Sequence, residues 1–545
     1  MSKHRYYSSY NNRKRNETIK TIVVIGLFII AIVSIVLIVM FQLRKRGILK
    51  ADFLSIFDQK SAPVAQSEFV DNIQTAAPQG NESPETVQQT EDEQEPVDMQ
   101  PAQNANLAPI YDLYYNVDFD DSSVGVQQLT RFTNTTGQPL DKIYFRLYPN
   151  IFTNEANMPI DRGQYFPDGI GSNSGVKIIT VMLNQQSIIG ELQGDLQTTL
   201  EIIPPAPVGI GESAEISLEY TIKIPRGEFM LSRNSHVLQL NYAYAKLAEF
   251  DNGQWQTSNI DKSSIPWQSS VATFLAKVEV DRDYSLACTG DIASRNENDG
   301  RKIYEIQANN VRDLSMGVYK DAEVFEDSEK TIMSFAYSSR YVERPATAAQ
   351  PIISFYKELF GVPLGYQLKL AETRLRDGMN SKSQVIFFDE SYIRDEENLQ
   401  WILALGIAEQ YLGNLVEADP KFNEQLSVAC ASIYMFESES SFKYKSILDD
   451  NPMAKQLFEA RKLIGTIKFD ATIKRYITDN MYKSGGASTF VKSADNDQII
   501  ADALAELIAV QDDNNSVNNN VESDANIGET ETPNSENDEQ TMLIQ

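Results

Sequence analysis

Metal binding and proton transfer at neutral pH fall most often to histidine, and this 545-residue sequence holds two, His4 and His236. His236 sits in a strand-like stretch with no nucleophile or ligand motif beside it, so it reads as structural. The two cysteines, Cys288 and Cys430, are far apart and form no Cys-x-x-Cys pair. A cysteine-based zinc or redox motif is thereby excluded, and buried free thiols are expected. Carboxylates remain. Glu409 and Glu424 could offer oxygens to a hard cation such as Ca²⁺, which wants six or more. Too few others converge, and both read better as helix-edge charges facing water or a basic partner. The serines of "ESESSFKY", Glu437 to Tyr444, lack a Gly-x-Ser-x-Gly setting and read as a connection. In "DGMN", the Asn380 amide can both donate to and accept from a peptide backbone; the alternative is a turn residue after Gly378.

These residues need elements to hold them. "LALGIAEQYLGNLV" opens as an amphipathic helix with Trp401, Ala404, Leu405, Ala408, Leu412 and Leu415 as its apolar stripe. Gly406 in its middle costs about 1 kcal/mol relative to alanine, and Glu409 stands beside the stripe. Around it, "EENLQWILALGIAEQYLG", "KFNEQLSVACASIYMFE", "MAKQLFEARKLIG", "DATIKRYITDNMY" and "DQIIADALAELIAV" read as helices. "ATAAQPIISFYKELFG" reads as a helix ending at Gly361, and "YQLKLAETRL" and "SQVIFFDES" as strands. Upstream, "VGVQQLTRFTNTT", "DKIYFRLYPN", "VKIITVMLN", "SAEISLEYTIKI" and "FLAKVEVDRDYSLACTG" are short β-branched and aromatic runs, several alternating with period two. They predict an antiparallel β-domain over 108–325, followed by an α-rich domain over 326–510. Trp255, Trp267 and Trp401 read as core or interface aromatics.

Charge is uneven. Residues 1–50 carry ten Lys and Arg against one acid, Glu17; the remainder carries 38 bases and 75 acids, a net of −37 within the whole-chain −28. Such an acidic bulk repels phosphate backbones and argues against nucleic-acid partners. "TIVVIGLFIIAIVSIVLIVMF", Thr21 to Phe41, is long enough and apolar enough to span a bilayer, and too long for a cleaved signal peptide. The expected order is therefore a basic cytoplasmic tail (1–20), a transmembrane helix (21–42), a flexible acidic stalk (43–107), the two folded domains, and a disordered acidic tail (511–545). Slightly more basic residues precede the apolar run than follow it. The expected location is the plasma membrane, single-pass, with the N-terminus cytoplasmic and the bulk outside.

Taken in order, "FRLYPN", "LNYAYAKLAEFDNGQW", "VEVDRDYSLACTG", "RDLSMGVYKDAEV" and "FYKELFGVPLGYQLKLAETRLRDGMNSKSQVIFF" resemble aminopeptidase N-like zinc metallopeptidases (gluzincins), especially bacterial membrane-associated members. The resemblance covers most of 108–500. It implies an α+β fold: a saddle-like antiparallel β-domain, then a thermolysin-like α-rich domain, here on a single transmembrane helix. "IAEQYLGNLV" resembles the family's active helix, His-Glu-x-x-His-Gln-x-x-x-Asn-x-Val. The two zinc-ligand histidines then fall on Leu405 and Glu409, and the water-activating glutamate on Gly406. The third ligand falls on Val428, or on Glu424 if four residues are deleted. The glutamate that holds the peptide's amino group falls on Asn380, within a peptide-binding Gly378, Met379 and Asn380. The oxyanion-stabilising tyrosine has no clear counterpart.

Leucine ligates nothing, and glycine has no side chain to take a proton from a metal-bound water. The resemblance thus implies a pseudopeptidase: no catalytic residue, no metal and no cofactor, zinc being the one the family would use. A peptide or protein partner, such as another membrane protein, would occupy the interdomain cleft. The alternatives are a residual or rewired metallopeptidase and a structural envelope protein.

Overall fold

Alternation between buried and exposed residues shapes the first half of the chain. In the computed structural model, which describes residues 108–509 apart from 155–156, 172–173, 252, 259–269, 299 and 418, the long strands are β1 (Ile110–Asp118), β2 (Ser123–Thr133), β3 (Gly175–Leu183), β4 (Ser213–Lys223), β5 (Ala272–Asp281), β6 (Asp291–Asn298) and β7 (Arg301–Val311). Together with the short strand Gln186–Ser187 they form an eight-stranded sheet in the order β6-β7-β5-β1-β2-β4-β3-(Gln186–Ser187). Along β2 and β4 every second side chain is buried, so one face of each is committed to the core. Smaller sheets cover that face. One joins Lys246–Leu247, Ile143–Arg146, Thr199–Ile202 and Gly190–Gln193; another joins Ser285–Cys288, Met316–Tyr319 and Val237–Gln239.

The all-antiparallel expectation needs correction. β1 runs parallel to β5, with Ile110 opposite Thr273. A parallel neighbour needs a long connection, and residues 119–271 supply one, carrying β2, β3, β4 and strands of both small sheets. Two predicted strands are also shorter than their apolar runs. "DKIYFRLYPN" leaves the sheet at Arg146, because Pro149 belongs to the 3₁₀ turn Tyr148–Phe152. "FLAKVEVDRDYSLACTG" divides at its polar Asp-Arg-Asp into β5 and Ser285–Cys288, which join different sheets.

The second half is less purely helical than its sequence implies. β8 (Glu323–Glu326), β9 (Ile332–Ala336), β10 (Leu368–Thr373), β11 (Met379–Lys382) and β12 (Val385–Asp389) form a five-stranded sheet, ordered β8-β9-β10-β12-β11. It begins just before the expected boundary at residue 325. β9, β10 and β12 are mutually parallel and β11 is an antiparallel edge. Helix α1 (Arg344–Phe360) makes the crossover between β9 and β10, and ends where Gly361 takes φ 76°, a left-handed cap that glycine adopts without strain.

Helices α2 (Glu396–Leu415), α3 (Pro420–Glu437), α4 (Tyr444–Asp450), α5 (Pro452–Ile464), α6 (Thr466–Asn480) and α7 (Ala487–Ser493) follow, with a last helical stretch over 498–509. α2 starts at Asp395, whose carboxylate accepts from Asn398 N at 3.1 Å; α3 starts the same way at Asp419 with Phe422 N, also 3.1 Å. Tyr476 packs edge-on against Phe422 and Phe490, which tilt against each other, where α3, α6 and α7 meet. Cys288 and Cys430 are free and buried.

The membrane part of the expected fold class is also corrected. Among the described residues no helix is long and apolar enough to cross a membrane, so the fold is a mixed α+β arrangement of many sheets and helices. Thr21–Phe41, His4, the stalk, Trp267 and the acidic tail lie outside the described residues.

Candidate functional site

The edge strand β11 lies between helix α2 and the β-rich half, and its side chains alternate between the two. Met379 and Ser381 face α2. Ser381 Oγ donates to the Gly406 carbonyl at 3.0 Å, and a Cβ on Gly406 would lie 3.1 Å from Ile386 Cγ2 and 3.3 Å from Met379 Sδ. The mid-helix glycine therefore has a packing reason: it lets α2 settle closely onto the sheet.

One turn on, Gln410 is fully buried and fully used. Its Oε1 accepts from Tyr366 Oη (2.9 Å), Gln384 N (2.9 Å) and Asn414 Nδ2 (2.9 Å). Its Nε2 donates to Ser381 Oγ (2.7 Å) and the Lys382 carbonyl (2.8 Å). Asn414 in turn accepts from Ser383 Oγ at 3.3 Å, and its carbonyl accepts from Arg312 Nε at 3.0 Å. Gln410 and Asn414, which match scaffold letters of the resemblance, thus hold α2, β11 and the β-rich half together.

Asn380 and Lys382 point the opposite way, as period two requires. Lys382 is buried, and its Nζ donates to Tyr242 Oη at 2.9 Å from above the tyrosine ring. Tyr242 adopts φ 57°, a left-handed conformation unusual for a bulky residue. Burial pushes the Lys382 ammonium below the usual lysine range, against the pull of Asp313 and Glu409. Glu409 responds in the other direction. Burial pushes its carboxyl up to about 8; Lys382 opposes this and Glu424 adds to it. Glu409 is thus half-buried and feels the Lys382 ammonium, in keeping with the expected edge charge facing water or a basic partner.

The remaining site positions divide. Leu405 is partly exposed and packs at the margin of the helical core. Val428 is buried, whereas Glu424, one turn earlier on α3, is exposed. Asn380 is not a turn residue: it lies in β11, 5% exposed, with neither amide atom hydrogen-bonded among the described residues. Gly378, at φ 82°, precedes it and closes against the Tyr392 ring.

Zinc does not fit these residues. Leu405 and Gly406 provide no ligand, and the carboxyl of Glu409 shares its surroundings with a buried amine. Among the described residues no three His, Cys, Asp or Glu converge as a metal group.

Lys382 escaped the sequence reading because lysine is almost always exposed. The one available signal was its period-two relation to Asn380 in "MNSK", which places both on one face.

No protein-family model matches the chain, and no curated protein matches it in sequence. Solved structures do match. The M1 zinc metallopeptidase from Deinococcus radiodurans aligns at 12% identity with a TM-score of 0.52, covering 73% of this chain and 93% of that one. A point mutant of the same enzyme aligns at 13% identity and TM-score 0.52, over 73% and 94%. At such identity the likeness concerns architecture alone: the described part of the chain has a distant M1 metallopeptidase-like fold.

Proposed function

We propose that this chain is a non-hydrolytic relative of M1 metallopeptidases that binds a peptide or protein segment along the edge strand β11. The carrying observation is the residue set itself: of Leu405, Gly406 and Glu409, where the resemblance puts the two histidines and the catalytic base, only Glu409 carries a carboxylate, and the buried Lys382 acts on it. Met379–Lys382 is the terminal strand of a five-stranded sheet, and edge strands accept an added strand through backbone hydrogen bonds. Asn380 adds a buried amide with both functions unmet, and buried polar groups normally have partners. A peptide backbone would supply them.

The purified chain tests this directly. Metal analysis should find less than stoichiometric zinc, and hydrolysis of aminoacyl-nitroanilides should be at background with or without added zinc. Immobilised peptides should retain the wild-type chain and lose it on Asn380→Leu. Stoichiometric zinc whose chelation abolishes peptide hydrolysis would overturn the proposal.

A further inference from the structure

At the carboxyl ends of the parallel strands β9, β10 and β12 lies a cavity of about 500 Å³, none of whose lining residues belongs to the β11–α2 site. Ligands of open α/β sheets bind characteristically beyond the carboxyl ends of their parallel strands, and this volume suits a small molecule. The residue following each strand lines it: Tyr337 after β9, Arg374 after β10 and Glu390 after β12. His236 from the β-rich half closes one wall, its ring stacked on Tyr337 with centroids 4.3 Å apart. Arg394, from the 3₁₀ turn after β12, closes another.

The charges in this cavity are only partly cancelled. Arg374 Nε pairs with Glu390 Oε1 at 3.1 Å. Two groups are left. The Glu372 side chain is buried, and Tyr337 N donates to its Oε2 at 2.7 Å, while no donor among the described residues reaches Oε1. Burial pushes its carboxyl up to about 7, with Glu390 and Asp389 adding to the rise and the Tyr337 amide and Arg394 opposing it. The Arg394 guanidinium is exposed and makes no side-chain ion pair among the described residues. One acceptor and one cation therefore remain, beside an aromatic wall.

We infer that this cavity is a binding site for a small zwitterion, a free amino acid or a short peptide, whose ammonium meets Glu372 Oε1 and whose carboxylate meets Arg394. A simple anion would leave Glu372 unmatched and lie near Glu390. A simple amine would leave Arg394 unmatched. Only a ligand carrying both charges satisfies both groups.

Calorimetric titration of the full chain at pH 7 tests the site with four probes: glycine, L-alanyl-L-alanine, acetate and ethylamine. Glycine or the dipeptide should bind at least tenfold tighter than acetate or ethylamine, and the tighter of the two identifies the source. Because Glu372 is about half protonated at this pH, an arriving ammonium should release up to about half a proton, read from the heat in buffers of different ionisation enthalpy. Glu372→Gln keeps the acceptor for Tyr337 N, and Arg394→Met changes an exposed side chain, so both should fold. Each should weaken zwitterion binding at least tenfold, and Glu372→Gln should abolish the proton release. Asn380→Leu should leave this binding unchanged, which separates the inference from the proposal for β11. Zwitterion binding no tighter than that of acetate, or unaffected by Glu372→Gln, would overturn the inference, as would absence of binding by glycine and the dipeptide.

Discussion

Lys382 Nζ donates to Tyr242 Oη at 2.9 Å, joining the edge of one sheet to the β-rich half through a buried ammonium. Glu409 acts on the same ammonium from helix α2. An acid on α2 and a base on β11 thus bias each other's protonation.

The first prediction concerns pH. The Glu409 carboxyl is raised from its ordinary 4.5 to about 8, so between those values the folded chain binds the proton that the unfolded chain has lost. Its contribution to stability is complete below pH 4.5 and disappears as pH rises through 8. Glu409→Gln removes that dependence. The variant should match the wild type near pH 5 and exceed it by about 4 kcal/mol at pH 9, measured by urea unfolding across pH. Lys382, depressed by burial, has the opposite sign and acts towards the ordinary lysine range. Lys382→Met should therefore raise the Glu409 carboxyl further, read by carboxyl-carbon NMR titration.

A glutamate placed at position 406 should destabilise the fold. The Cβ position already crowds Ile386 and Met379, so Gly406→Glu should destabilise by about 2–4 kcal/mol through overpacking and charge burial. Ile386→Ala in the same chain should recover part of that loss, measured by denaturant midpoint. Equal stability of Gly406→Glu and wild type would refute this packing account.

Gln410 predicts a larger loss than its neutral side chain implies. Gln410→Leu strands the part-buried Gln384 N and removes both donors to β11. A cost of about 3 kcal/mol is expected, with amide exchange rising at Gln384. If exchange there is unchanged, another acceptor serves that amide.

The start of α2 provides a local comparison. Asp395→Ala removes the cap on Asn398 N and should cost about 1 kcal/mol, while Asp395→Asn should retain most of it. Thermal unfolding of the two variants distinguishes capping from surface charge.

Much of this architecture was legible in the sequence for local reasons. Alternation marks β2 and β4, because a half-buried strand must repeat every two residues. Gly361 marks a helix end, because left-handed φ selects glycine. Two histidines set a limit on metal chemistry before any fold is known. Other features depend on residues distant in sequence. The parallel pairing of β1 with β5 is invisible because neither strand encodes its neighbour. The burial of Lys382 beneath Tyr242 and near Glu409 runs against lysine's ordinary preference, and only the meeting of β11, α2 and the β-rich half imposes it. Gly406 looked like a defect until Ile386 was placed beside it. The Glu372 cavity exists only where three separate strands end together. Periodicity and capping are short-range physics and can be read along the chain; burial, close approach and charge coupling belong to the tertiary structure, which alone brings these groups within reach of one another.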